Sequence, residues 1–148
     1  MSDVFFDTNV VLYLLSEDER KAEIAEALIM SGGHASVQVL AEMTNVCRRK
    51  FAMGWDAIHD LRELVIRHCE IHALTESIHQ TAFSLARTYG YTIYDAQIIA
   101  SANEAHCTTL WSEDMHSGQR FQRPTTADGW DLCIANPFEV QPDDPDVS

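Results

Sequence analysis

Short apolar runs alternate along the chain with longer stretches whose apolar residues recur every three or four positions, the pattern of strands separated by helices. Val4-Phe5-Phe6 opens as a buried strand. Residues 8–15 read as a short helix, and Ser16-Glu17-Asp18-Glu19 as a capping box opening a second helix that runs towards Met30 and stops at Gly32-Gly33. A strand is expected near His34-Ala35-Ser36, then helices over about 37–50, 55–68, 75–88 and 93–106, with a strand near Glu70-Ile71-His72 between the second and third of these. Thr108-Thr109-Leu110-Trp111 and Leu132-Cys133-Ile134 supply the last strands. Strands alternating with helices in this way predict an α/β fold with a mainly parallel sheet.

The 148 residues fit one domain, read as residues 1–138, followed by an acidic tail at 139–148 that has little to bury and is expected to fray. A chain of this size buries roughly 68–70% of its unfolded surface, so its core needs no staples. Cys47, Cys69, Cys107 and Cys133 are widely spaced and form no C-x-x-C pair, which reads as reduced core thiols in a cytoplasmic protein. The apolar stretch over 4–15 is interrupted by Asp7, Thr8 and Asn9 and has no basic residue before it, so neither a signal peptide nor a membrane anchor is expected. A net charge of −13 argues against indiscriminate binding to a polyanion. Distribution qualifies that total. Arg48, Arg49 and Lys50 cluster at one helix end and Arg120 and Arg123 follow the last acidic loop, so a local basic rim around an acidic site is a candidate phosphate contact. The plainer use of Arg48, Arg49 and Lys50 is to complement the negative end of a helix dipole.

Four carboxylates stand at junctions from which an α/β fold aims side chains into one pocket: Asp7, Glu42, Asp95 and Asp114. Each has a plain reading. Asp7 before a helix is an N-cap, Glu42 shares a polar stripe with Gln38, Asn45 and Arg49, Thr92-x-x-Asp95 is a capping box, and Asp114 is a turn acid. Against this, Asp95 lies among Ile93, Tyr94, Ile98 and Ile99, where an unpaired carboxylate is costly without a cation or hydrogen bonds. Together the four suit a hard divalent cation, Mg²⁺ or Mn²⁺, of which Mg²⁺ retains several waters and takes one or two carboxylates directly.

The chain resembles the PIN domain, and within it the VapC-type toxins of bacterial toxin–antitoxin pairs. The resemblance runs from Phe5-Phe6-Asp7-Thr8-Asn9 through Ser36-x-x-Val39-Leu40-x-Glu42 and Tyr94-Asp95-Ala96-x-Ile98-Ile99-Ala100-x-Ala102 to Leu110-Trp111-Ser112-Glu113-Asp114-Met115-x-x-Gly118-Gln119 and Asn136-Pro137-Phe138. Each motif is weak alone, and their ordered succession is specific. The resemblance implies a three-layer PIN-like fold with a sheet of about five parallel strands and a metal-dependent endoribonuclease that leaves a 5′-phosphate and a 3′-hydroxyl. It implies Asp7, Glu42, Asp95 and Asp114 as the acidic quartet, supported by Thr8, Asn9 and Ser112. Asp7 and Asp95 are then expected as the principal metal ligands, directly or through water, Glu42 to orient the attacking water or bind the ion through water, and Asp114 to complete a second, weaker metal site. The implied partners are RNA, a small cognate antitoxin docking an amphipathic helix near the acids, and a second copy in a homodimer. No membrane is among them.

Other readings fare less well. Asp7-Thr8-Asn9 lacks the second aspartate of a strand-end phosphotransferase, the absence of lysine after Lys50 removes a receiver-like phosphoacceptor, and no G-x-S-x-G or H-E-x-x-H occurs. His68-Cys69 and His72 hint at a metal, but the helix-to-strand break expected there favours a structural role. The alternatives within the fold are an RNA-processing nuclease and a non-catalytic RNA- or protein-binding module.

Overall fold

The computed structural model describes residues 3–122 and 131–139. The 139–148 tail therefore lies outside the described residues save for Glu139, as does Arg123. Six strands, β1 (Val4–Phe6), β2 (Gly33–Ser36), β3 (Cys69–His72), β4 (Thr109–Trp111), β5 (Arg120–Gln122) and β6 (Asp131–Ala135), form one sheet in the order β3-β2-β1-β4-β6-β5. The first four and β6 run parallel, and β5 joins β6 antiparallel at the edge. The helices are α1 (Thr8–Leu12), α2 (Glu19–Met30), α3 (Val37–Arg49), α4 (Trp55–His68), α5 (Glu76–Tyr89) and α6 (Ile93–Glu104). This is the three-layer α/β fold expected, with six strands where about five were predicted. The added strand is Arg120-Phe121-Gln122, whose three residues carry too little pattern to announce themselves and which is held by its pairing with β6. Among the described residues no helix is long and apolar enough to cross a membrane.

The central strands are buried on both faces, as parallel strands under helices must be. Phe5, Phe6, Leu110, Leu132 and Ile134 are all fully buried, as are Val39, Met43, Ile98 and Ile99 from the flanking helices. The Gly32-Gly33 pair does two separate things. Gly32, at φ +87°, ends α2 in the left-handed region. Gly33 lets β2 approach β1, because a Cβ there would stand 2.7 Å from the Phe6 ring and 2.9 Å from the Val4 carbonyl.

Several predicted boundaries move for local reasons. The first helix tightens into a 3₁₀ turn at Tyr13–Leu15. The second is capped by Asp18, which accepts from the backbone N–H groups of Arg20 and Lys21, while Ser16 accepts from Asp18 N–H one step earlier, so the Ser16 capping box does not form. Ser36, Thr75 and Thr92 cap α3, α5 and α6 by accepting from Val39, Ile78 and Asp95 N–H. Cys47, Cys69, Cys107 and Cys133 form no disulfide among the described residues.

Strand order sets the site. The chain leaves β1 for β2 on one side and returns past β1 to β4 on the other, so β1 and β4 flank a topological switch point, and a crevice opens beyond their C-terminal ends.

Candidate active site

Asp7 is the first residue after β1 and occupies that crevice. Its backbone N–H donates to the Trp111 carbonyl at 3.0 Å, which ties it to the end of β4. The side chain is 6% exposed and is surrounded by donors. Thr8 N–H reaches Oδ1 at 2.7 Å, and the Ser112 hydroxyl and the Asn9 amide reach Oδ2 at 2.8 and 3.2 Å. Asn9 also donates to Ser112 Oγ at 3.4 Å and accepts from Glu113 N–H at 3.1 Å, and Met115 N–H donates to Ser112 Oγ at 3.2 Å. Asn9 and Ser112 thus lock the first and fourth acidic segments together, while the Thr8 hydroxyl reaches Glu42. Asp7 is an N-cap as its sequence position suggested, and more than that.

Glu42 comes from the middle of α3. It is half-buried rather than solvated, and its Oε1 accepts from the Thr8 hydroxyl and from Gln38 Nε2, both at 3.2 Å. Gln38 in turn donates to the Tyr94 carbonyl at 2.9 Å and accepts from Gln97 Nε2 at 2.9 Å, which fixes α3 against the first turn of α6. Gln38 and Gln97 are buried polar side chains that the sequence reading did not assign. The signal for Gln97 is a long polar side chain inside the otherwise small and apolar run 96–102, which holds only Ser101 besides it; Gln38 reads as part of a polar stripe. Asp95, in the first turn of α6, is half-buried, and its carboxylate accepts no hydrogen bond from the described residues. Asp114 is exposed in the loop after β4.

Electrostatics record the convergence. Burial pushes the Asp7 carboxyl from 3.8 up to about 6, against the lowering effect of the Ser112 and Thr8 bonds, and the charges of Asp95 and Glu42 push the same way. Asp95 is raised by burial and then by Asp114. Asp7 thus feels Asp95 and Glu42, and Asp95 feels Asp114, across four segments distant in sequence. The neighbouring Glu113 is withdrawn from this group, because its carboxylate holds Lys21 at 2.8 Å and the Tyr13 hydroxyl. Among the described residues, the set of three ligand side chains whose atoms all lie within 4.8 Å of one another is not drawn from the quartet.

The basic candidates separate. Arg48, Arg49 and Lys50 are exposed at the C-terminal end of α3, where they complement its dipole. Arg48 is also engaged locally, donating to the Met53 carbonyl at 2.9 Å and lying 4.8 Å from the Trp55 ring centre. Lys50 lines a cleft of about 610 Å³ with Asn9, Leu12, Tyr13, Leu15, Phe51 and Asp114. Arg120 is exposed on β5. Trp55 belongs to another cleft, of about 740 Å³, between α3 and α4 and away from the acids.

Comparison with known proteins gives a family and a set of relatives by fold. The family model described as PIN domain matches residues 4–120. No curated protein sequence matches the chain. Among solved structures, a toxin–antitoxin complex from Klebsiella pneumoniae superposes with a TM-score of 0.65 at 18% identity, covering 93% of this chain and 99% of that one. Mycobacterium tuberculosis VapC20, described as a sarcin-ricin loop cleaving toxin, gives 0.62 at 16% identity over 75% of this chain and 89% of its own. FitAcB from Neisseria gonorrhoeae gives 0.60 at 20% identity over 93% and 99%.

Proposed function

The chain belongs to the PIN-domain family, and on that premise we propose that it is a divalent-metal-dependent endoribonuclease acting as the toxin of a toxin–antitoxin pair. The observation that carries the proposal is Asp7: a buried carboxylate at the sheet's switch point, held near 6 by burial, Asp95 and Glu42, in a pocket where a cation would relieve it. The donor set fits a hard ion. Asp95 has carboxylate oxygens with no donor among the described residues, and Asp7 and Asp95 would hold Mg²⁺ or Mn²⁺ directly or through water. Such an ion supplies Lewis acidity towards phosphate oxygen and lowers the pKa of water at the site.

The chain's own groups do the rest. Ser112, Thr8 and Asn9 hold the Asp7 carboxylate in one orientation. Glu42, whose Oε1 accepts from Thr8 and Gln38, would orient the attacking water and accept its proton, or bind the ion through water. Asp114, exposed at the mouth, is the candidate for a second, weaker ion site beside the leaving oxygen. Lys50, Arg49 and Arg120 are the candidate phosphate contacts, with Arg48 partly committed to Trp55.

The toxin part of the reading rests on the solved relatives, several of which are described as toxins or toxin–antitoxin complexes. The cleft lined by Leu12, Tyr13, Leu15 and Phe51 fits the apolar face of an amphipathic antitoxin helix and opens beside Asp114. A cytoplasmic setting and a homodimer belong to the same proposal. Incubating the purified protein with total cellular RNA, with and without Mg²⁺ or Mn²⁺, and mapping the ends tests the chemistry. Metal-dependent cuts leaving 5′-phosphates support it; no cleavage with either ion favours a non-catalytic module. Suppression of toxicity and cleavage by a small co-expressed neighbouring protein supports the toxin role, and harmless expression of an active enzyme points to an RNA-processing nuclease.

A further inference from the structure

On β3, the edge strand farthest from β5, Glu70 and His72 lie two residues apart and so share one face of the sheet. Their neighbour on β2 is His34, whose register partner is Glu70. Three ligand atoms converge there. His34 Nδ1 is 2.8 Å from His72 Nε2 and 3.6 Å from Glu70 Oε2, and all three atoms lie within 4.8 Å of one another. His72 is further held by stacking on Phe5, with ring centres 6.4 Å apart.

A hydrogen bond between the two imidazoles explains only part of this. One proton shared between Nδ1 and Nε2 satisfies that pair, while Glu70 Oε2 stands beyond hydrogen-bond distance of His34 Nδ1 and yet is turned towards it. Three ligand atoms within 4.8 Å of one another make a set that a cation can join by displacing the proton shared between the imidazoles. Two metal–ligand bonds of about 2.0–2.1 Å span donor separations up to about 4 Å, so the 2.8 and 3.6 Å gaps are bridgeable.

We propose that His34, Glu70 and His72 form a zinc-binding site, separate from the carboxylate quartet, that clips the edge strand β3 to β2. Two imidazoles and one carboxylate are a donor set that zinc takes with a fourth position left for water, and imidazole disfavours Mg²⁺ relative to zinc. The Glu70 side chain is 55% exposed, which gives ion and water a path in, whereas His34 is 11% exposed and anchors the site. The role is structural. β2 runs directly into Ser36, the cap of α3, and α3 carries Gln38 and Glu42, so the clip holds the frame on which those side chains stand.

The test uses the full chain stripped with chelator, in an Asp95→Asn background with excess Mg²⁺ so that zinc at the quartet is suppressed. Calorimetric titration should show one bound Zn²⁺, and melting should shift upward by about 5–10 °C at hundredfold excess over the dissociation constant. Co²⁺ in its place should give visible absorption bands of imidazole coordination. His72→Gln and Glu70→Gln should each weaken Zn²⁺ at least about tenfold and reduce the shift. His34→Gln is the harsher change, and the two more exposed positions keep the test usable where it fails to fold. Zinc binding and melting shifts unchanged in both His72→Gln and Glu70→Gln, or no bound zinc in the parent, would overturn the proposal. Neither result bears on RNA cleavage, so this site stands or falls apart from the nuclease reading.

Discussion

Asp7→Asn should stabilise the metal-free protein while removing its activity. In the fold the Asp7 pKa rises from 3.8 to about 6, so between those values the native state keeps a proton that the unfolded chain has lost, and stability falls as pH rises across that window. Below it Asp7 is protonated in both states and the penalty vanishes; above it the penalty is complete, about 3 kcal/mol at 1.36 kcal/mol per pH unit. Asparagine carries no such penalty but loses contacts. Its Oδ1 still accepts from Thr8, whereas its Nδ2 must donate to a Ser112 hydroxyl already accepting from Met115 and Asn9, and the Asn9 bond to Asp7 is lost, together costing about 1–2 kcal/mol. The expected net gain is about 1–2 kcal/mol above pH 6, or about 2–8 °C in melting temperature for a chain of this length. Thermal melts in EDTA at several pH values measure it. The difference should shrink to nothing or reverse by about pH 4. Saturating Mg²⁺ should invert the ranking at neutral pH, because at a hundredfold excess over its dissociation constant it adds about 2.7 kcal/mol to wild type and little to the variant. A variant less stable than wild type by the same amount at every pH, with or without Mg²⁺, would refute the assignment of Asp7 as a buried, repelled carboxylate.

Asp95→Asn should leave the fold intact and lower metal-dependent cleavage by at least about a hundredfold, since its carboxylate has no structural bond to lose among the described residues; single-turnover assays on the RNA found by end mapping read this directly. Cleavage at fixed Mg²⁺ should fall as pH drops below about 6, because a proton on Asp7 competes with the metal, and raising Mg²⁺ should move that fall to lower pH. Lys50→Ala should flatten the salt dependence of RNA binding by roughly 0.7 on a single-stranded substrate, whereas Arg48→Ala, whose guanidinium is committed to Met53 and Trp55, should flatten it less. Gly33→Ala should destabilise by about 1–3 kcal/mol in urea titration, because its Cβ meets both the Phe6 ring and the Val4 backbone under 3.0 Å.

How much of this was legible in the sequence depends on the range of the interaction responsible. Elements fixed by their own periodicity and caps stand almost where expected: α4 runs from Trp55 to His68, and Thr92 caps α6 as its spacing to Asp95 implies. Asp7 was legible for the same reason, as a polar residue ending an apolar strand. What the sequence could not carry is pairing between distant segments. β5 has three residues and exists through β6. Glu42 reads as a solvated side chain on its own helix and becomes half-buried only when Thr8, from a segment 34 residues away, turns towards it. Gln38 and Gln97 are partners across 59 residues, and neither has a local signal that names the other.

The histidines make the same point from the opposite side. Around His68, Cys69 and His72 the sequence offered neighbours in the chain as possible ligands, and the structure parts them: His68 bonds back to the Leu64 carbonyl inside its helix, and Cys69 is a buried thiol pushed up to about 11 by burial. His72 instead meets His34, 38 residues away, because β3 lies parallel to β2 in a register that puts Glu70 beside His34. Spacing along one strand makes Glu70 and His72 share a face; only the register supplies the third ligand. The same parallel register carries Asp7 and Ser112 together at the ends of β1 and β4, where Phe6 pairs with Trp111. Both candidate metal centres of this protein are thus products of strand register, one beyond the C-terminal ends of the central strands and one on the face of the edge pair.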